Sequence, residues 1–302
     1  MKKNYVLGSL WIVIAVFLTF LLVRGFEASS HSIKSLKKLG QWIEHEIEDE
    51  DFEEDWADSD EDWNSDEGKV QSISESNVFN VNEIKNINLE IYSLSLEIGK
   101  SNDSKIHLDF TDGAEKYCKY TLSSNTLLVK EKRRSNKTFY YHPKGKVCLK
   151  LPENYYGNLD IEDVSGSVKI NGIKVDSLSS DIVSGSLTIN ESKISELELN
   201  SVSGSIKAQG NFDKISCNSV SGSIKITNLN PLSKNSDFES ISGSITLDLP
   251  ENSNYTINYD SMSGSFTDTL SGNSGKKSGT SVKGNGEVDI SITTTSGSIK
   301  VE

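Results

Sequence analysis

The chain has 302 residues, which is enough for one large or two modest domains. It carries 31 basic and 44 acidic residues, but fifteen of the acids lie in residues 44–67, which hold no Lys or Arg, so the remaining sequence is close to neutral. We therefore expect no nucleic-acid partner, because binding nucleic acid needs a strongly basic face. Three cysteines exclude a disulfide-dense scaffold, and four scattered histidines lack metal-ligand spacing, so we expect neither a metal nor a cofactor.

The N-terminus predicts a membrane anchor. After a short tail (1–4), residues 5–23 carry no charge and form about 28 Å of helix, enough to cross a bilayer core. The run is too long for a signal-peptide core and lacks a small-residue cleavage site, which favours an uncleaved span. Lys2, Lys3 and the terminal amine keep the tail inside, although the count of Lys and Arg alone slightly favours the reverse. The expected location is the cell membrane, single-pass, with the body extracytoplasmic.

Two segments follow the predicted anchor. Residues 24–48 contain a helical apolar stripe, which favours an amphipathic linker helix over a short dimerising helix because heptads are not sustained. Residues 49–77 hold twelve of the fifteen acids of the 44–67 segment and are predicted to be an extended, disordered tether. Trp56 and Trp63 lie among these acids and are candidate contacts for a cationic peptide or a basic partner, although a plain spacer is the favoured interpretation.

From residue 78 onward the sequence alternates apolar and polar residues, which predicts strands. A Ser-Gly-Ser motif then recurs at steps near twenty residues, and a fixed period of this size is typical of a solenoid. We therefore predict an all-β fold, a β-solenoid of the parallel β-helix type, and the irregular step favours a right-handed or looser coil. The glycines at the centre of the motif are Gly166, Gly185, Gly204, Gly222, Gly243, Gly264 and Gly297.

Alignment of the seven copies on their glycine predicts which side chains point inward. The residues two after the glycine are all apolar, and those two before it are apolar in six copies, such as Val183 and Val220. This pattern predicts inward valines in mid-strand, a bulge just before them, and two rows of outward serines. Hydroxyl ladders along the stack are the favoured role for these serines, and docking of a repetitive ligand such as glycan is the alternative. We further predict a flexible insertion at 270–280 and a final rung, 287–302, that caps the stack.

The strand path and the motif together resemble the bacterial putative-adhesin family of β-strand-repeat domains, whose members include LiaG-like membrane-anchored envelope proteins. The residues that carry the resemblance are segments 94–98, 105–108, 127–130 and 146–153 and the stretch Leu159-Asp-Ile-Glu-Asp-Val-Ser-Gly-Ser-Val168. The resemblance spans 78–302 and implies a β-solenoid displayed at the cell envelope, often near envelope-stress signalling genes. It implies no catalytic residues and does not extend to residues 44–67.

Three functions remain open from the sequence. The favoured one is a non-catalytic, membrane-anchored envelope protein that binds an envelope polymer or a protein partner. The second is an envelope-stress regulator whose acidic tether captures cationic peptides or a membrane partner. The third and least favoured is a carbohydrate-active enzyme, which would use the acid pairs Glu162 with Asp181 and Glu239 with Asp260. We expect no enzyme, because no further carboxylate, His or basic residue recurs beside these pairs.

A basic patch precedes the repeats and is a candidate interaction site for an anionic polymer, a lipid headgroup or the chain's own acidic run. A solvated loop is the plainer interpretation. Cys118 and Cys148 are predicted to lie on neighbouring strands where they can form a disulfide, whereas Cys217 is predicted to be a buried thiol. The patch consists of Lys130, Lys132, Arg133, Arg134 and Lys137.

Overall fold

The structure, a computed structural model, describes residues 76–132 and 145–302. The predicted tail (1–4), anchor (5–23), juxtamembrane helix (24–48) and nearly all of the acidic tether (49–77) lie outside these residues. Within the part that is described, no helix has the length and apolar character needed to cross a membrane.

Seventeen strands make up the described fold, interrupted by two short 3-10 turns at Val81–Glu83 and Ala114–Lys116. The all-β prediction is thus confirmed. The strands are β1 (Ser76–Asn80), β2 (Asn86–Ile91), β3 (Ser95–Lys100), β4 (Lys105–Thr111), β5 (Cys118–Ser123), β6 (Thr126–Glu131), β7 (Lys146–Leu151), β8 (Asn158–Asp163), β9 (Ser167–Asn171), β10 (Lys174–Ser221), β11 (Ile224–Asn228), β12 (Ser236–Ser242), β13 (Ile245–Asp248), β14 (Tyr255–Asp268), β15 (Asn273–Lys283), β16 (Val288–Ser296) and β17 (Ile299–Val301).

Parallel stacking of equivalent segments builds the solenoid. Strands that precede each Ser-Gly-Ser motif form one face, here called the leading face, and strands that follow it form the trailing face. On the trailing face Leu187 lies opposite Val168 and Ile224 lies opposite Ile245, so like stacks on like. β10 is 48 residues long and passes two motif corners without a break, which shows how continuous the winding is. The parallel solenoid-like architecture is confirmed.

The order of the rungs departs from the order of the sequence at both ends. β2 lies between β6 and β8. At the other end β16 lies between β12 and β14, and β17 lies between β13 and β14. The prediction that the last rung caps the stack was therefore wrong, because this rung is inserted one place inward.

The terminal strand at that end is β15, which pairs antiparallel with β14 along most of its length. The expected flexible insertion at 270–280 was also wrong, because most of it belongs to β15. The repeat period of the sequence cannot predict this strand. β15 is rich in Gly, Ser and Lys and pairs with β14 on one side only, so it lacks the apolar alternation of a strand that has one face in the core. Lys276, Lys277 and Lys283 on this last strand discourage pairing with another chain.

Between the two faces lies one continuous apolar core of Ile, Leu and Val, supplemented by aromatic residues such as Phe212 and Phe238. Near the C-terminal end the rings of Tyr259 and Phe266 stack with their centroids 3.8 Å apart. Burying these side chains stabilises the stack by about 25 cal/mol per Å² of apolar surface removed from water. A single rung cannot bury its own apolar side chains, so stacking is a condition for stability.

The three cysteines are free thiols. The proposed disulfide was wrong, because Cys118 lies on β5 beside β6, whereas Cys148 lies on β7 between β3 and β4. Cys217 is completely buried, as predicted. Burial raises the pKa of the Cys118 thiol to about 12, which keeps this group protonated and unreactive at neutral pH.

Candidate functional site at the Ser-Gly-Ser edge

The Ser-Gly-Ser motif forms a corner of the solenoid, at which the strand breaks in four copies and continues in the other three, within β10 and β14. The residues three before the glycine are buried, as Ser219 and Ser240 show. Of the seven residues two before it, five, such as Val220, are half-buried, Met262 is exposed and Val202 alone is buried. The prediction of inward valines was therefore wrong by one residue. The alternation of inward and outward residues shifts by one position at the motif itself, where the chain turns from the leading to the trailing face. We call this corner the Ser-Gly-Ser edge.

The glycines make close stacking at this edge sterically feasible. A Cβ atom on Gly204 would overlap the carbonyl oxygen of Gly185, and one on Gly222 would overlap the carbonyl oxygen of Gly204. Gly243, Gly297 and Gly264 follow the same rule in stacking order. Ladder hydrogen bonds such as Gly222 N–H to the Ser242 carbonyl hold the rungs together here. The glycine column thus lets neighbouring backbones approach closely, which is a structural role.

The serines on either side of the glycines point outward. Thirteen of these fourteen side chains are exposed and one, Ser167, is half-buried. Only Ser165, which donates to the Tyr92 carbonyl at 2.9 Å, has a side-chain hydrogen bond to another described residue. The favoured hydroxyl ladders are thus not formed among the described residues. The edge instead carries two rows of hydroxyl groups that can donate to or accept from a ligand.

A second column of hydroxyls lies inside the edge, and the sequence analysis missed it. These side chains are buried, and their oxygens have no hydrogen-bond partner among the described residues. The signal was present in the repeats, since a small hydroxyl residue stands three before the glycine in five copies. The small volume suits the narrow corner where the two faces converge. The column consists of Ser201, Ser219, Ser240, Thr294 and Ser261 in stacking order.

Two buried carboxylates terminate the N-terminal end of the edge. Glu131 on β6 accepts hydrogen bonds from the backbone N–H groups of Tyr92, Ser93 and Leu94 at 2.8 to 3.1 Å. It thereby takes the place that the carbonyls of a further rung would occupy. Asp163 accepts the Gly166 N–H at 3.0 Å, and burial, followed by weaker effects including the charge of Glu131, raises its pKa to about 7.

The acid pairs of the enzyme hypothesis fare differently in the structure. Glu162 and Asp181 are cross-strand neighbours on the leading face. Glu239 and Asp260 are not neighbours, because the inserted strand β16 places Thr293 between them. Burial, and then the charge of Asp237, raises the pKa of Glu239.

An amide ladder continues from Asp181 along the same face. Asn200 donates to Asp181 at 2.7 Å, and Asn218 donates to Asn200 at 2.9 Å. This arrangement is the hydrogen-bonded polar ladder of a stacked sheet, and it accounts for the recurrence of polar residues at this position.

The sequence-predicted interaction residues are only partly described. Lys130 lies on β6 and pairs with Glu90 of β2 at 3.4 Å. Lys132 follows the end of that strand, and its backbone N–H donates to the Tyr117 carbonyl. Arg133, Arg134, Lys137, Trp56 and Trp63 lie outside the described residues. Among the residues that are described, no group of His, Cys, Asp and Glu is arranged to hold a metal ion.

These features define a parallel β-solenoid domain with a glycine-stacked, serine-lined edge. Family models built on known sequences place it more narrowly. The model described as Toastrack DUF4097 matches residues 84–230 and 208–302, which is well over half of the chain. The chain therefore belongs to the Toastrack DUF4097 family. This result confirms the resemblance found in the sequence.

Solved structures with a similar fold come from several bacteria. A putative adhesin from Bacteroides fragilis is 18% identical, with a TM-score of 0.51, and the match covers 75% of this chain and 96% of that one. A putative cell adhesion protein from Clostridium sporogenes is 14% identical, with a TM-score of 0.39 and coverages of 75% and 97%. A putative lipid binding protein from Parabacteroides distasonis is 17% identical, with a TM-score of 0.40 and coverages of 76% and 96%. At such identities the likeness shows the fold alone. No curated protein matches the sequence.

Proposed function

We propose that the protein is a non-catalytic, membrane-anchored envelope protein that displays its solenoid outside the cell and binds an envelope polymer through the Ser-Gly-Ser edge. The observation that carries this proposal is the double row of outward hydroxyls, of which only Ser165 bonds to another described residue. Hydroxyls repeated at each rung, about 4.8 Å apart, suit a ligand that is itself repetitive.

Two further observations support display at the envelope. Residues 5–23 are uncharged and long enough to span a bilayer, and Lys2 and Lys3 favour an internal N-terminus. The acidic segment 44–67 then separates the anchor from the solenoid, and mutual repulsion of its carboxylates favours an extended spacer. The name putative adhesin, which the similar structure from Bacteroides fragilis carries, agrees with surface display.

Sidedness is tested by adding protease to intact cells that produce the full chain. Digestion of the region 76–302 without lysis is the result expected for an extracytoplasmic body. Protection until the cells are lysed would place the body in the cytoplasm and would refute the proposal.

Binding at the edge is tested with envelope fragments from the producing cells. The variant S186A/S205A/S223A removes three adjacent hydroxyls of the row after the glycines, and S233A/S274A/S278A removes three exposed serines elsewhere. We expect the edge variant to bind the fragments at least about tenfold more weakly and to sediment less with them, because three lost hydrogen bonds at about 0.5–1.5 kcal/mol each sum to about 1.5 kcal/mol or more. Equal sedimentation of the two variants would show that the edge is not the binding site.

A further inference from the structure

A row of lysines follows the Ser-Gly-Ser edge on the trailing face. The residue three places after each glycine points outward. It stands two places beyond the outward serine, so both side chains project from the same side of the strand. The residues at this position are either lysine or threonine, and all four lysines are exposed. In stacking order they are Lys169, Thr188, Lys207, Lys225, Thr246, Lys300 and Thr267. We call this the lysine row.

Three lysines of the row form no ion pair among the described residues, although Lys169 lies opposite Glu97 of β3 and the Glu302 carboxylate lies within electrostatic reach of Lys225. Lys169, Lys207 and Lys225 form no ion pair with any described residue, whereas Lys300 at the end of the row pairs with Glu302. Lys207 also lies directly opposite Lys225 on the next rung, and like charges in that position repel each other. The row therefore keeps a net positive charge, because its four lysines outnumber the two neighbouring carboxylates, Glu97 and Glu302.

The leading face has the opposite sign. Its outward positions carry Asp160, Glu162, Asp181, Asp237 and Glu239, and these acids lie on the far side of the core from the lysine row. The trailing face also carries Glu97 and Asp248, but these acids are fewer than its lysines, so the charge distribution steers an anion towards the trailing face and away from the leading one. The net charge of −13 does not oppose this, because it arises from residues 44–67.

We propose that the lysine row and the adjoining serine row form a site for a linear polyanion that lies along the solenoid axis. This inference rests on the proposed function and names the chemistry of the polymer: a chain with phosphate or carboxylate groups. Lys169 and Lys300 are five rungs apart, or about 24 Å, so the row spans several repeating units of such a chain. The lysines supply charge, and the serine hydroxyls donate hydrogen bonds to the anionic oxygens.

A linear ligand fits the observations better than a membrane surface does. The next outward positions along the trailing face are neutral at its centre, where Asn190 donates to Asn171 at 2.9 Å. The positive charge therefore forms one line beside the edge rather than a broad sheet. A bilayer of anionic lipid is planar and would be matched by charge spread across the whole face.

The test uses the full chain in a non-ionic detergent, with inorganic polyphosphate as the probe and dextran as an uncharged polymer. The variant K169Q/K207Q/K225Q removes the three lysines of the row that form no ion pair with a described residue, and the control K105Q/K116Q/K193Q removes the same charge from exposed lysines elsewhere. We expect the row variant to bind polyphosphate at least about tenfold more weakly than the wild type, with a smaller dependence on salt, while the control keeps the wild-type affinity.

The other outcomes separate this inference from the proposed function. Equal loss in both triple variants would mean that only net charge matters, and would overturn the site. If the row variant binds dextran and envelope fragments as well as the wild type does, the polyanion proposal is wrong and the proposed function is unaffected. Stronger dependence on the row for anionic vesicles than for polyphosphate would favour a membrane surface instead. A change in self-association alone would identify a second copy of the chain as the partner. Failure of the wild type to bind any of these probes or fragments would count against both proposals.

Discussion

The backbone of Gly204 passes so close to Gly185 that a methyl group has no room between them. We expect Gly204→Ala to lower the stability of the protein by more than about 2 kcal/mol, because two rungs must move apart to admit the new atom. Gly99 on β3 is the matched control, since a Cβ there lies 3.9 Å from its nearest neighbour, the Asn171 carbonyl oxygen. Thermal unfolding of the two variants measures the difference. A Gly204→Ala protein as stable as Gly99→Ala would show that the edge is loosely stacked.

The raised pKa of Asp163 predicts that the stability of the protein depends on pH. Its folded-state pKa is raised from 3.8 to about 7, so the folded protein holds this proton more tightly than the unfolded chain. Stability is then fully present below about pH 4 and is lost as the pH rises to about 7, by roughly 3–5 kcal/mol in total. We expect Asp163→Asn to raise the unfolding temperature at pH 8 and to have little effect near pH 4. Asp176→Asn, at an exposed acid, serves as the control. An equal effect at both pH values would contradict the shifted pKa.

For the buried hydroxyl column, we expect that removal of a polar group does not destabilise the protein. Ser219 and its neighbours hide oxygens that have no partner among the described residues, and such burial costs about 1–3 kcal/mol per group. We therefore expect Ser219→Ala to leave stability unchanged or to raise it by about 1 kcal/mol, as measured by urea unfolding. A loss of more than about 1 kcal/mol would mean that ordered water satisfies the hydroxyl inside the corner.

Among the elements, β6 illustrates how the solenoid ends. Its last residue, Glu131, accepts three backbone N–H groups and the Ser93 hydroxyl, so it closes the ladder of the first corner. Asp268 on β14 is a comparable acceptor near the other end, where it accepts the backbone N–H groups of Leu270 and Ser271. It also accepts hydrogen bonds from the hydroxyls of Tyr255, Ser271 and Ser281. Each end of a stacked sheet leaves unpaired backbone groups, and a buried carboxylate is an efficient acceptor for several of them.

Removal of the first of these caps is expected to loosen the start of the edge. Glu131→Ala leaves the N–H groups of residues 92–94 without their acceptor, and we expect a loss of about 3 kcal/mol or more and faster hydrogen exchange in this segment. Glu287→Ala removes an exposed acid and is the control. Unchanged exchange at 92–94 in Glu131→Ala would refute the capping role.

The elements also show what the sequence could and could not predict. Strands β2, β3, β4, β6 and β7 follow from strict alternation, because each has one face in the core. The inward residue before the corner was misassigned, since Val220 is apolar and Ser219 is not, and hydrophobicity alone ranks them the wrong way. The inside position three before the glycine holds a small hydroxyl residue in five copies and Ile182 in a sixth, so it is determined by where the chain turns and not by hydrophobicity.

For the whole molecule, a repeat fixes the architecture but leaves the order of its rungs open. Rungs that present similar apolar residues at similar positions can exchange places, since their neighbours bury them equally well. The outward serines of the Ser-Gly-Ser edge followed from alternation, whereas the site of the inserted rung depends on β15. That antiparallel strand covers β14 and leaves β14 no place for β16 except on its inner side.

Removal of the inserted rung tests this arrangement. A chain that ends at residue 287 lacks β16 and β17, so β14 and β15 lose the strands that join them to β12 and β13. We expect amides in 255–283 to lose most of their protection from hydrogen exchange, because an isolated two-stranded hairpin is marginally stable in water. Amides in 158–226 should remain protected, since their neighbours are unchanged, and they provide the internal control. Continued protection of 255–283 would contradict this expectation, because it would show that β14 restacks directly on β12. The position of the inserted rung would then be determined by residues 288–302 themselves and not by β15.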